Sequence, residues 1–421
     1  MALVVENIDV EEIIIEGKTK IVYEIKDSKD CCLIVSKDKI TAGDGVKRHD
    51  MQGKAKISTK TAAHIFDILS FSGFKHHYIK QNSDVSFIAK KCSMIPIEWV
   101  ARRIATGSFL KRNPGVNEGY KFCPIKQETF FKDDANHDPL WSYEQLVSAN
   151  LKIGPKNKII TERDIKVMSE TTVAIFEILE KCWNSLNCQL IDMKIEFGVD
   201  ETGEIILADI IDSDSWRLWP GGDKRLMKDK QVYRDMSEVT NDGLEQVKLN
   251  FIWIENQLGF LKPIIKGKIV VFMGSVADMD FCKKLKQLSL KYGIECDLRV
   301  ASGHKVPGEV SSILSTYEGT LEPIVLIAVA GRSNALGPML AGTSCLPVIN
   351  CPPLGPEWVS QDIWSSLHVP SGLGCTTVLS VENAVQSAAH ILALSDHFLW
   401  SKIRGMRLEK HVNLIRSDES A

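Results

Sequence analysis

Asp192, Lys194 and Glu196 recur at every second position of the stretch LIDMKIEFG, residues 190–198, with Ile191, Met193, Ile195 and Phe197 between them. A two-residue period belongs to a β-strand, so the charged side chains share one face and the apolar ones the other. A strand with one face in water carries the same alternation, and the next segment bears on the choice. EIILADIIDSDSW, residues 204–216, is a second apolar run with Asp209, Asp212 and Asp214 set into it, joined to the first through VDETGE. If Thr202 and Gly203 make a two-residue hairpin loop, Glu201 pairs with Glu204 and Glu196 lies opposite Asp209. Opposed like charges destabilise a sheet, and a cation between them removes the conflict. Hard oxygen ligands with room for water and phosphate suit Mg²⁺.

Three further stretches carry groups suited to anions. EGKTK, residues 16–20, has the ending of a phosphate-cradling P-loop, but Glu12 stands where the leading glycine is needed, which excludes that loop. On a strand Lys18 and Lys20 point the same way, an arrangement that fits a polyphosphate and equally a pair of surface lysines. In ARRIATGSFLKR, residues 101–112, Arg102 and Arg103 precede a Gly107–Ser108 turn whose N–H groups and hydroxyl suit a phosphate or carboxylate; a solvated basic turn is the alternative. FKDDANHDP, residues 131–139, and DSDSWRLWPGGD, residues 212–223, add acids and Arg217.

These groups need elements to position them. The second half alternates regularly: strand 269–274, helix 279–292, strand 296–301, helix 307–318, strand 324–330, then LPVINCPP and a long C-terminal helix. Phe281, Leu285 and Leu288 give the first of these helices an apolar stripe. Continuous apolar strands in βαβ order predict a parallel sheet covered on both faces, a three-layer, doubly wound α/β domain. Such sheets bind ligands at the carboxyl ends of their strands. There the sequence places MGSVAD, ASGHK and AGRSN, with Gly274 and Ser275 before a helix and His304 as the one histidine of the rim. The first 260 residues mix strand-like KTKIVYEI, CCLIVS and IIIEG with helix-like TERDIKVMSETTVAIFEILEKCW, an α+β pattern. Pro263 and Gly267 punctuate the junction, so the expected domains are 1–262 and 267–421.

The 421 residues suffice for two or three domains, and a net charge of -3 lacks the basic excess of a nucleic-acid binder. Eleven scattered cysteines without a CxxC or Cys/His cluster argue against zinc and for free thiols in a reducing compartment. The acidic N-terminus MALVVENIDVEEIIIEG is unlike a secretory signal, and no apolar run approaches the length of a membrane span, so a cytosolic location is expected.

MIPIEWVARRIATGS, residues 94–108, and LIDMKIEFG resemble the two signature stretches of SAICAR synthetase; GSVAD, SGHK and AVAGRSNALGP resemble the rim of AIR carboxylase. Their fusion in this order is similar to the bifunctional purine-biosynthesis proteins of animals. The resemblance implies that the second domain carboxylates aminoimidazole ribonucleotide directly with CO2, without ATP or biotin. It implies that the first couples the product to L-aspartate through an acyl phosphate, using ATP and Mg²⁺. Carried over by motif, Glu196 and Asp209 would bind Mg²⁺, with Lys18, Lys20 and Lys194 at the ATP phosphates and Arg102, Ser108, Asp214 and Arg217 around the carboxylated nucleotide. In the carboxylase, Ser275, Asp278, Ser302 and Arg332 would bind the nucleotide, Lys305 and Ser333 the CO2, and His304 would move the ring proton. The family's carboxylase domains assemble into octamers. Ala277, Gly303, Gly308 and Thr343 depart from the usual pattern, so a second reading keeps the carboxylase-like domain as a non-catalytic, oligomerising scaffold for an active synthetase.

Overall fold

The structure, a computed structural model, describes residues 3–43, 46–355 and 359–419. The chain gathers into two units, one reaching to Lys262 and taking in the segment from Arg404 onward, the other Pro263–Ile403. The last helix, His397–Glu419, begins in the second unit, and its residues from Arg404 onward group with the first.

The first unit holds two six-stranded sheets. One comprises β1 (Leu3–Val5), β2 (Ile8–Glu16), β3 (Lys20–Ile25), β4 (Cys31–Ser36), β5 (Tyr78–Gln81) and β6 (Ser86–Lys90), in the order β1-β2-β3-β4-β6-β5. The other is built from β7 (Cys92–Ile104), β8 (Lys121–Phe131), β9 (Leu140–Trp141), β10 (Cys188–Asp200), β11 (Ile205–Ala208) and β12 (Trp216–Pro220). Its order is β9-β8-β7-β10-β11, and β12 also pairs with β10, so β10 lies against β7 on one side and forks to two partners on the other. Helix α1 (Lys54–Phe71) packs on the first sheet, and α2 is a short turn of helix at Ser108–Arg112. Helix α3 (Glu162–Ser185) packs on the second sheet; Thr161 and Asp164 close a capping box at its start. Helix α4 (Asn241–Leu258) lies against α1 and ends the first stretch of the unit.

Two expectations fail here. The hairpin loop has three residues, not two: Gly203 N donates to the Asp200 carbonyl at 2.9 Å, and Gly203 takes φ +93, a conformation that suits glycine. The register therefore slips by one, Glu196 faces Ala208, and Asp209 lies beyond the ladder. Nor is Lys18 on a strand, because β2 ends at Glu16 and β3 starts at Lys20.

In the second unit, β13 (Lys268–Met273), β14 (Glu295–Val300), β15 (Ile324–Val329), β16 (Val348–Asn350) and β17 (Cys375–Thr377) form one sheet in the order β14-β13-β15-β16-β17, parallel throughout. Helices α5 (Met279–Tyr292), α6 (Pro307–Glu318), α7 (Leu336–Thr343), α8 (Trp364–Leu367) and α9 (Val381–Leu392) follow the strands, and α10 is His397–Glu419. Strand residues 269–273 are all buried because both sheet faces are covered, one by α6 and α7 and the other by α5 and α9. The stripe on α5 is Cys282, Leu285, Ser289 and Tyr292, with Phe281 and Leu288 half-buried at its flanks. The expected single C-terminal helix is two, α9 and α10. Asp396 starts the second, its carboxylate accepting from Phe398 N and Leu399 N at 2.9 and 3.0 Å.

Candidate active sites

The charged row of β10 meets charged neighbours on both sides. Across from it on β7, Arg102 faces Asp192 and Glu98 faces Glu196; on β12, Arg217 also faces Asp192. The row is not turned to water, since Glu196 is 1% exposed and Asp192 5%. Opposed carboxylates do occur, but the pair is Glu98 and Glu196. Lys194 Nζ lies 2.7 Å from Glu98 and 2.9 Å from Glu196, and Lys132 Nζ approaches Glu196 to 2.8 Å. Burial alone would raise the Glu196 pKa; Lys194 and Lys132 overcome it and hold the carboxyl down to about 2.

Asp209 turns out of β11 at φ +64, and its carboxylate pairs with Lys20. Burial, with Lys132 and Lys194 nearby, brings the Lys20 pKa down to about 8 against the pull of Glu196. Lys20 thus joins Asp209 to the cluster around Glu196. Lys18, in the β2–β3 turn, pairs at 3.0 Å with Asp134 of the FKDDANHDP segment. Among the described residues no group of three or more His, Cys, Asp and Glu side chains is arranged to hold a metal. Two carboxylates amid lysines fit a Mg²⁺ that takes its other ligands from phosphate and water.

Beside this cluster, charge alternates across four strands, β8, β7, β10 and β12. Arg102 Nε donates to Glu128 at 2.5 Å, and the guanidinium groups of Arg102 and Arg217 both pair with Asp192. Arg217 also donates to Gln231 at 3.2 Å and lies against the Gly107–Ser108 turn. Gly107 has φ +61, and a Cβ there would stand 2.7 Å from Arg217 Nη2, so both backbone and neighbour call for glycine. Ser108 opens α2 from this turn, exposed. Arg103 faces away and pairs with Glu180 of α3 at 2.7 Å. Asp214 Oδ2 is 3.0 Å from Lys54 and 3.5 Å from Lys230, while its Oδ1 is buried without a hydrogen-bond partner. Burial would raise the Asp214 pKa, but Lys54 and Lys230 bring it to about 2; burial and Asp214 together push Asp212 up. Glu98, Lys54, Lys132 and Lys230 were not singled out from sequence. Each gains meaning only through a partner that the fold, not the local sequence, brings to it.

In the second unit the three rim loops leave adjacent strand ends: Gly274 N donates to the Val329 carbonyl and Ala301 N to the Met273 carbonyl, each at 3.0 Å. Ser275 Oγ accepts from Ala277 N at 3.2 Å, and burial raises the pKa of Asp278, which follows on the same turn. Ser302 Oγ accepts from Lys305 N at 3.3 Å, folding the His304 loop back on itself with His304 and Lys305 exposed. A Cβ on Gly303 would sit 3.1 Å from Leu336 N and Cα, so glycine lets this loop close on the start of α7. Ser333 is held at φ +53 next to buried Asn334, whose side chain donates to Asn350 and Ser366 at 3.0 Å and accepts from Gly337 N at 3.0 Å. Arg332 is exposed beside it. Of the other departures, Gly308 has open space around its Cβ position, and the Thr343 hydroxyl donates to the Met339 carbonyl of its own helix at 2.7 Å.

Residues 13–249 match the family model of SAICAR synthetase, and residues 268–413 that of AIR carboxylase. A Drosophila melanogaster protein named bifunctional phosphoribosylaminoimidazole carboxylase/phosphoribosylaminoimidazole succinocarboxamide synthetase is 51% identical over 99% of this chain and 96% of its own length. The Homo sapiens protein of the same name is 52% identical over 98% and 97%. Among solved structures, the Ehrlichia chaffeensis phosphoribosylaminoimidazole-succinocarboxamide synthase is 27% identical with a TM-score of 0.52, covering 60% of this chain and 100% of that one. A SAICAR synthetase in complex with ADP is 30% identical with a TM-score of 0.50, covering 57% and 97%.

Proposed function

The chain belongs to the family of bifunctional phosphoribosylaminoimidazole carboxylase/phosphoribosylaminoimidazole succinocarboxamide synthetases, and from that membership we infer how its residues divide the chemistry. It is an enzyme of purine biosynthesis that carboxylates aminoimidazole ribonucleotide and joins the product to L-aspartate with ATP. Coupling is assigned to the first unit and carboxylation to the second.

The observation that carries the first assignment is the convergence of Lys20, Lys132 and Lys194 on buried Glu196, with Asp209 joined through Lys20. These lysines, with Lys18 at the turn, neutralise the ATP phosphates, and a dry, charged sheet face spares reorganisation as charge develops. Glu196 and Asp209 would hold Mg²⁺, which when bound screens the phosphates and polarises the one transferred. Arg217 and the Gly107–Ser108 turn hold the anionic end of the carboxylated nucleotide, and Arg102 steadies Arg217 through their shared Asp192. The unpaired Oδ1 of Asp214 is an acceptor for a substrate N–H. The nucleotide's carboxylate accepts the γ-phosphoryl group, and aspartate's amine then displaces phosphate.

In the second unit, Ser275, Asp278, Ser302 and Arg332 take the ribonucleotide, and Lys305 and Ser333 place CO2 by the ring carbon. His304 removes that carbon's proton once CO2 has added. Assembly through this unit, to an octamer by family resemblance, belongs to the same reading, as does a cytosolic setting, with which eleven free thiols agree.

The test supplies aminoimidazole ribonucleotide and bicarbonate, with ATP, Mg²⁺ and aspartate added or withheld, and identifies the products. Carboxylation without ATP, and coupling only when ATP, Mg²⁺ and aspartate are all present, is the expected result. Coupling of supplied carboxylated nucleotide without any carboxylation would leave the second unit a scaffold.

A further inference from the structure

Asp209 sits in the left-handed region, which an aspartate enters more readily than most residues with a side chain but still at some cost. Three interactions hold it there. Its own carboxylate accepts from Ile210 N at 2.7 Å and pairs with Lys20, and its carbonyl oxygen lies 2.9 Å from Nε2 of His77. A carbonyl only accepts, so Nε2 carries the proton of that bond.

The imidazole is itself fastened. His77 is 3% exposed, its N donates to the Leu207 carbonyl at 2.9 Å, and its carbonyl accepts from Lys90 N at 2.7 Å. Phe66 and Phe87 meet the ring edge-on, with centroids 5.4 and 5.8 Å away. One buried, oriented side chain therefore bonds the backbone of the residue whose carboxylate leaves the ladder, two residues beyond the strand position to which its own backbone is bonded.

We propose that His77 is a positioning residue of the coupling reaction: its Nε2–H fixes the left-handed turn that presents the Asp209 carboxylate to a Mg²⁺-bound nucleotide. This rests on the reading of Glu196 and Asp209 as the carboxylates of that site. Outer partners of metal-binding side chains typically change metal affinity or activity by about 10- to 100-fold when removed.

The test uses the full chain and two readouts, the Mg²⁺ concentration for half-maximal coupling and the Mg²⁺ dependence of ADP binding by titration calorimetry without turnover. His77→Leu removes the donor and should weaken both by about tenfold or more, with carboxylation by the same chain unchanged. His77→Gln returns an amide N–H at similar reach and should recover to within about threefold. A wild-type Mg²⁺ response in His77→Leu, or equal impairment of both variants, overturns the proposal. Asp209→Asn separates it from the reading beneath: loss of Mg²⁺ response there but not in His77→Leu refutes the positioning role alone, while a normal response in Asp209→Asn refutes both. If His77→Leu does not fold, His77→Asn replaces it, polar but too short to reach; it should respond about tenfold more weakly than His77→Gln, and equal responses overturn the proposal.

Discussion

Asp229 shows how a side chain without an apparent motif can set a pH dependence. It is fully buried after β12, and its carboxylate accepts from Leu218 N at 2.9 Å and Gln231 N at 2.8 Å. Burial still pushes its pKa up from 3.8 to about 6, against those bonds and Arg217. The folded group therefore holds its proton more tightly than the unfolded one. The stability it contributes is fully present below about pH 4 and lost as pH rises through about 6, a change of about 3 kcal/mol. Urea denaturation of the wild type and Asp229→Asn should show their stability difference moving by that order against the wild type between pH 4 and 7; a constant difference would refute the assignment. Asp229 gave no signal in sequence, unlike Asp192, Lys194 and Glu196, whose alternation marked one face of a strand. The alternation did not reveal their partners, because Glu98 and Arg102 are brought alongside by a ladder joining segments about ninety residues apart.

In the second unit β13, α5, β14, α6 and β15 were legible almost to the residue, while α7, α8 and β17 were not: α5 and α6 occupy the expected 279–292 and 307–318, since apolar runs, helix starts and glycine stops agree locally. In the first unit local pattern gave strands and helices but not their neighbours. The slip at Glu196 came from one αL glycine that lengthened a turn from two residues to three. Glycine is decisive again at the β7–α2 junction, where Gly107 lets the Arg217 guanidinium approach the backbone. Gly107→Ala would add about 1–2 kcal/mol of backbone strain and displace that guanidinium. Steady-state kinetics should show the KM for the carboxylated nucleotide raised about tenfold or more, with the KM for ATP within about twofold. Equal changes in both would mean that the turn serves the whole fold rather than the nucleotide end of the site.

At the scale of the molecule, the two proposed machineries share no residue. Glu196→Ala should lower ATP-dependent coupling by about a thousandfold while carboxylation continues, and His304→Asn should lower carboxylation by about a hundredfold while coupling of supplied nucleotide continues. Product assays on both variants check this, and a variant that silences both reactions would refute the division. The last helix has a different consequence. Beyond Ile403 it is fastened to the first unit: Arg404 pairs with Glu177 at 2.7 Å, Asp418 with Arg163 at 2.9 Å and Arg416 with Glu204 at 3.5 Å. Gly405 lies so close to the Ser72 carbonyl oxygen that a Cβ would overlap it. A ribosome builds most of the coupling half before the other unit, and domains generally fold as they emerge, yet this one cannot dock the segment beyond Ile403 until the whole second unit has been translated. A stop codon at position 404 should therefore damage the half translated earlier, seen as faster thermal inactivation of coupling than in the 421-residue chain; an unchanged rate would show the docked segment to be dispensable. The unit begun first waits for the other before its own last contacts can form.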